Sequence, residues 1–99
     1  MAAELIVVEE AEADIHQAYA WYEQQRMGLG EQFLERVDAC IQAICASPQM
    51  HPCIYQNYRR ALVRKSPYAV FYEYVDETVV IHCVFHTAQD PEKWKRRLS

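Results

Sequence analysis

Between Tyr58 and Pro91 short apolar runs alternate with breaks of charge and proline, the pattern of consecutive β-strands. The runs are Arg59–Arg64, Tyr68–Val75 and Val79–His86. Lys65-Ser66-Pro67 separates the first two, because proline has no N–H to give to a ladder, and the charged pair Asp76-Glu77 makes the second turn. The last run is apolar at Val79, Val80, Ile81, Cys83, Val84 and Phe85, as in a strand covered on at least part of both faces, which places it centrally. Alternation predicts Val79, Ile81, Cys83 and Phe85 on one face. An even turn at Asp76-Glu77 brings Tyr68, Val70, Tyr72 and Tyr74 to the same face, and the same logic adds Ala61 and Val63. The opposite face then collects Arg60, Arg64, Glu73, His82 and His86 around Leu62, Phe71, Val80 and Val84. A slip of one residue would exchange the two sets.

The upstream half reads as the layer that covers this sheet. Glu4–Val8 is a short apolar run, a first strand at or near the sheet edge. Glu9, Glu10, Glu12 and Asp14 crowd the first turn of the helix that follows, where negative charge complements the helix dipole. Ala11, Ile15, Ala18 and Tyr22 form its buried stripe, and the flanking Tyr19 and Trp21 suit helix–helix packing, with an exposed aromatic patch as the alternative. Gly28 and Gly30, the only glycines, form a corner so short that the two helices must be antiparallel, with the second starting just beyond Gly30. Without a third glycine or a following lysine, this pair is no phosphate loop. The second helix buries Phe33, Val37, Cys40, Ile41 and Ile44 and stops at Ser47-Pro48. Residues 48–58 read as a loop. At the other end, Asp90 as N-cap and Pro91 at the first helical position open a short C-terminal helix. Trp94 and Leu98 anchor that helix, leaving Lys93, Lys95, Arg96 and Arg97 to solvent. The prediction is an α+β, two-layer fold in the order β-α-α-β-β-β with a short final helix, as one domain over residues 1–99.

Composition narrows the class. An apolar fraction of 52% with 7 Tyr and 2 Trp excludes a disordered chain. No apolar run approaches the roughly 18 residues of a membrane span. The N-terminus is acidic where a signal peptide would be basic, so a cytoplasmic protein is expected. The 4 cysteines (Cys40, Cys45, Cys53, Cys83) include no CxxC pair and read as reduced core thiols. A metal site from His51, Cys53, His82 and His86 is the sharper alternative, but residues four apart on a strand are separated by about 13 Å, so His82 and His86 cannot share an ion. No metal and no cofactor are expected.

The net charge of −4 conceals an asymmetry. Residues 1–49 hold two basic against nine acidic residues, or −7, and residues 50–99 hold eight against five, or +3. An acidic partner should therefore meet the C-terminal half. Arg60 and Arg64 offer forks that match phosphate or carboxylate, and His86, beside the basic tail, is the better placed of the two strand histidines for moving a proton.

RRALV, SPYAVFY, the apolar strand ending in His86 and then HTAQDPEKW resemble the RelE/ParE superfamily of toxins from type II toxin–antitoxin systems, whose members are also known as plasmid stabilisation proteins. The N-terminal half fits as well, with Ala20-Trp21-Tyr22 and the glycine corner. The resemblance implies a helical hairpin on a mainly antiparallel sheet, growth inhibition, and neutralisation by a cognate antitoxin. It leaves two modes of action open. The ParE-like branch binds DNA gyrase without chemistry of its own. Its style of sequence is the closer one, and target or antitoxin binding would fall to Lys93, Trp94, Lys95, Arg96 and Arg97. The RelE-like branch cleaves mRNA on the ribosome without a metal, for which His86 would serve as acid or base and Arg60 and Arg64 would hold the phosphate. A relative that only binds its antitoxin is the third possibility. After His86 the chain offers only Thr-Ala-Gln, and its pI of about 5.5 does not favour the ribosome.

Overall fold

A computed structural model describes residues 3–99. The elements are β1 (Glu4–Val7), α1 (Glu9–Gln25), α2 (Leu29–Ala46), β2 (Cys53–Tyr55), β3 (Tyr58–Leu62), β4 (Tyr68–Val75), β5 (Thr78–His86) and α3 (Pro91–Leu98). The five strands form one sheet in the order β1-β5-β4-β3-β2, antiparallel except for β1, which runs parallel to β5 at the edge. The α1–α2 hairpin covers one face and α3 part of the other, so the fold is α+β as expected. β2 is the element the sequence reading took for loop. Three residues long and at the sheet edge, it is too short to show a period.

The hairpin corner shows why its two glycines sit where they do. Gly28 has φ +93°, a left-handed conformation that only glycine adopts without strain, and it is the N-cap of α2. Glu23 of α1 caps the new helix with one oxygen: its Oε1 accepts from the N–H groups of Gly28 at 2.9 Å and Gly30 at 2.8 Å. Gly30 falls inside the first turn of α2 and not before it, and its role is close approach. A Cβ there would lie 2.6 Å from Glu23 Cγ and 2.7 Å from the Tyr19 ring. Tyr19 is therefore the residue on which the helices cross.

The principal core lies between hairpin and sheet. Ala11, Ala18, Phe33, Val37, Ile41 and Ile44 meet Ala61, Val63, Val70, Tyr72, Val79 and Ile81, with Ile15, Tyr22, Tyr68 and Tyr74 packed at the margins. Tyr72 is wholly buried, yet its hydroxyl donates to the Pro48 carbonyl at 2.7 Å and pins the loop that follows α2. Burial pushes that phenol up to about 12.

The predicted strand faces hold only halfway along β5. Tyr72 pairs with Ile81, but its neighbour Phe71 pairs with Cys83, so His82 is an extra residue, a β-bulge. Beyond the bulge the parity of β5 reverses. Val84 joins the hairpin core, whereas Cys83 and Phe85 turn to the opposite face. There they join Ala69, Phe71, Leu98 and the partly buried Trp94 in a second cluster. Phe71 is 2% exposed because Trp94 stacks on it with ring centroids 5.1 Å apart. The face expected to be open is thus closed in part by α3.

Gly30→Ala should destabilise the protein by about 1–3 kcal/mol, since neither the Tyr19 ring nor the base of the Glu23 side chain can yield without moving a helix. Denaturant unfolding of wild type and variant measures the difference.

Candidate functional site

The bulge disperses the residues that alternation had gathered. His86 pairs with Tyr68 on the hairpin side and lines a cleft of about 310 Å³ with Trp21, Tyr22, Pro67 and Gln89. No Asp, Glu, Lys or Arg lines this cleft. His86 Nδ1 accepts from the Ala88 N–H at 3.0 Å, so a neutral ring carries its proton on Nε2. Trp21 is 54% exposed at the mouth. It is Tyr19, not Trp21, that packs between the helices.

Arg60 lies on the opposite face of the sheet, paired in register with Phe71. Arg64 is on neither site, because β3 ends at Leu62 and the chain turns. The turn carries Arg64 to an exposed groove against α2, where Arg36 and Lys65 also stand. Of the five residues expected to share one face, only Arg60, Glu73 and His82 do so. For His86 the physical reason is that one unpaired residue shifts every later side chain of its strand to the other side, and for Arg64 it is the end of β3.

On that shared face His82 Nε2 lies 3.4 Å from Glu73 Oε1. The contact is not aligned as a hydrogen bond, and Nε2 is enclosed without a partner. The Tyr58 ring meets the His82 ring edge-on at 5.2 Å. Sequence reading passed over Tyr58, whose place beside His82 follows only from its register opposite Glu73.

The C-terminal helix is where expectation and structure agree best in position. Asp90 caps it, its Oδ1 accepting from the Glu92 N–H at 3.0 Å, and Pro91 opens it. The five tail residues have different fates, however. Lys93 and Arg96 are exposed, and the half-exposed Lys95 ammonium sits 5.8 Å from the centre of the Trp94 ring. Trp94 packs inward on Phe71. Arg97, expected in solvent, turns back to the body of the protein. Its Nη1 and Nη2 donate to Asp14 Oδ1 and Oδ2 at 3.2 and 2.9 Å, a bidentate fork. Asp14 Oδ2 also accepts from the Val84 N–H at 3.0 Å, so one carboxylate joins α1, β5 and α3. Burial works against the Arg97 charge, but the hydrogen bonds and negative charge of Asp14 outweigh it and raise its pKa. Asp14 had been read only as helix-dipole charge. Nothing local distinguishes it from its acidic neighbours, because its partners lie 70 and 83 positions away.

Among the described residues no group of three or more His, Cys, Asp and Glu side chains could hold a metal ion, and no helix is long and apolar enough to cross a membrane. The thiols are free. Burial pushes Cys40 up to about 11 and Cys83 up to about 12.

The fold as a whole is similar to that of chains in solved toxin–antitoxin systems. The chain superposes on a chain of the intact RelBE toxin–antitoxin complex of E. coli with a TM-score of 0.67 at 17% identity, covering 89% of this chain and 100% of the other. It superposes on one from the chromosomal ParDE system of P. aeruginosa with a TM-score of 0.65 at 15% identity, covering 86% and 96%. For the RelBE2 complex of Mycobacterium tuberculosis the TM-score is 0.62 at 18% identity, covering 87% and 99%. At such identities the likeness is one of fold. Among curated protein sequences none matches the chain. Residues 5–91 match the family described as the ParE toxin of type II toxin–antitoxin system, parDE. The chain belongs to that family and is a RelE/ParE-like toxin of a toxin–antitoxin system.

Asp14→Ala should cost about 2–3 kcal/mol, because it strands both the Arg97 guanidinium and the Val84 N–H. Arg97→Ala should cost as much, about 2–3 kcal/mol, since it leaves the Asp14 carboxylate, 10% exposed at its side chain, with only the Val84 N–H as partner. A double-mutant cycle by denaturant unfolding reads the coupling. Thiol alkylation at pH 8 should modify the exposed Cys53 first and Cys83 only on unfolding, as mass spectrometry of digests would show. Because Cys40 and Cys83 hold their protons in the fold past the ordinary value of 9.0, their contribution to stability is complete below that value and is lost as the pH rises above it. Unfolding midpoints should fall accordingly at alkaline pH.

Proposed function

We propose that this toxin inhibits growth by binding, with DNA gyrase as its target in the ParE-like manner, and that a cognate antitoxin neutralises it. The solved relatives are toxin–antitoxin assemblies, which supports the antitoxin as partner. One observation carries the choice of binding over chemistry. His86, the best proton-transfer residue, lies in a cleft without Arg, Lys or carboxylate on the hairpin side of the sheet, while Arg60 lies on the opposite face and Arg64 in a groove against α2. Phosphodiester cleavage without a metal needs the proton-transfer group and the cation within reach of one phosphate. A binding protein needs only a complementary surface. The exposed Lys93 and Arg96, with Lys95 beside them on α3, form a compact positive one. Arg97 and Trp94 hold that helix in place and are not free to contact a target.

A ribosome-dependent mRNA endonuclease is the second reading, and the face shared by Arg60, Tyr58, Glu73 and His82 favours it. Against it, the His82 Nε2 is enclosed and cannot reach a substrate without a rearrangement.

Expression of wild type, His86→Gln, His82→Gln and the double charge reversal Lys93→Glu/Arg96→Glu separates the readings, scored by growth, mRNA cleavage and the DNA-damage response. Wild type and both histidine variants should arrest growth with damage signalling and intact mRNA, while the charge reversal should lose the arrest. If wild type cuts mRNA and a histidine variant loses 10²–10⁴-fold of that rate, the endonuclease reading replaces this one.

A further inference from the structure

The groove between α2 and the end of β3 plays no part in the account of target binding. It encloses about 630 Å³, within the range of clefts that hold a ligand. Ala39 and Ala43 of α2 and Leu62 at the end of β3 give its lining an apolar part, and Leu62 is 63% exposed. Its rim is basic, carrying Arg36, Arg64 and Lys65 with Glu35 as the single opposing charge. The groove is also preformed. Arg36 Nη1 donates to the Lys65 carbonyl at 3.4 Å, and Cys40 Sγ lies 3.8 Å from the Leu62 carbonyl, so α2 and the turn after β3 are tied at two points.

We propose that this groove docks an acidic, amphipathic segment of the antitoxin, its aliphatic side chains on Leu62 and Ala39 and its carboxylates on Arg64, Lys65 and Arg36. The proposal rests on the toxin–antitoxin reading above and adds the surface and the chemistry of the partner. Charge complementarity selects the occupant. Three cations and one carboxylate line the groove of a chain that carries −4 in all, so this rim draws in an acidic segment. The apolar part selects peptide over nucleic acid. No Trp, Tyr or Phe lines the groove, its one aromatic ring, His51, is held edge-on against Tyr72, and a leucine flanked by small side chains suits an aliphatic side chain. The basic surface of α3 is of a different kind. Its aromatic residue is turned inward onto Phe71, leaving cations without an exposed apolar floor.

The test uses the full chain and the purified product of the reading frame adjacent to its own, titrated by calorimetry at low and high salt. Arg64→Glu/Lys65→Glu and Leu62→Asp are the groove variants. Lys93→Glu/Arg96→Glu is the control on α3, and thermal unfolding verifies that each folds. Both groove variants should bind at least tenfold more weakly, the α3 control should stay within about twofold, and the charge-reversed groove should lose the salt dependence that wild type shows above about 0.15 M. If wild type binds and the groove variants bind equally well, the groove is not the docking site, although the antitoxin reading stands. If wild type does not bind the product at all, that reading falls and the proposal with it. If the groove variants lose affinity only for a single-stranded RNA oligomer, the site is for nucleic acid and the peptide assignment is wrong.

Discussion

The structure depends on one constraint: β5 must be buried on both faces while carrying one residue more than its partner can match. Thr78 to Ile81 are paired in step with β4, with Val79 and Ile81 under the hairpin. The extra residue at His82 lets the strand begin again in the opposite phase, sending Cys83 and Phe85 down to α3 and Val84 up to α1. An uninterrupted strand would turn Cys83 and Phe85 toward the hairpin and take both from the second cluster. Two small cores on either side of one strand are thus reconciled by a single unpaired residue.

Electrostatics secures what the bulge makes possible. α3 is short, and a helix of that length has little stability of its own in water. It is held by Trp94 and Leu98 in the second core and by the Arg97 fork on Asp14. Asp14 is 10% exposed at its side chain and also satisfies the Val84 N–H just past the bulge. The carboxylate therefore answers a backbone donor in the rearranged segment and fixes the terminal helix at once. Fixing α3 presents its remaining cations in a constant geometry, which a surface that works by complementarity requires.

The same strand explains the separation of the reactive groups. His86 follows the reversed phase to the aromatic cleft beside Trp21, while Arg60 keeps its place opposite Phe71. His86 and the two guanidiniums thus stand apart, and the exposed features divide as well. The basic face of α3 is purely charged, and the groove at Leu62 combines charge with an apolar part.

Periodicity was enough to read the hairpin, the turn at Asp76-Glu77, the faces of β3 and β4 and the cap of α3 at Asp90, because each follows from contacts within a few residues or from unbroken alternation. The family resemblance was legible for the same reason, in strand motifs that survive as local patterns. Three features were not. β2 is three residues at an edge and shows no period. The partners of Asp14 are distant in the chain, and an ion pair between remote residues leaves no mark on either local stretch. The bulge at His82 lies in a run so apolar that either phase is acceptable to the sequence. Only the simultaneous demands of α1 above and α3 below decide which residue goes unpaired, and with it which side chains can meet.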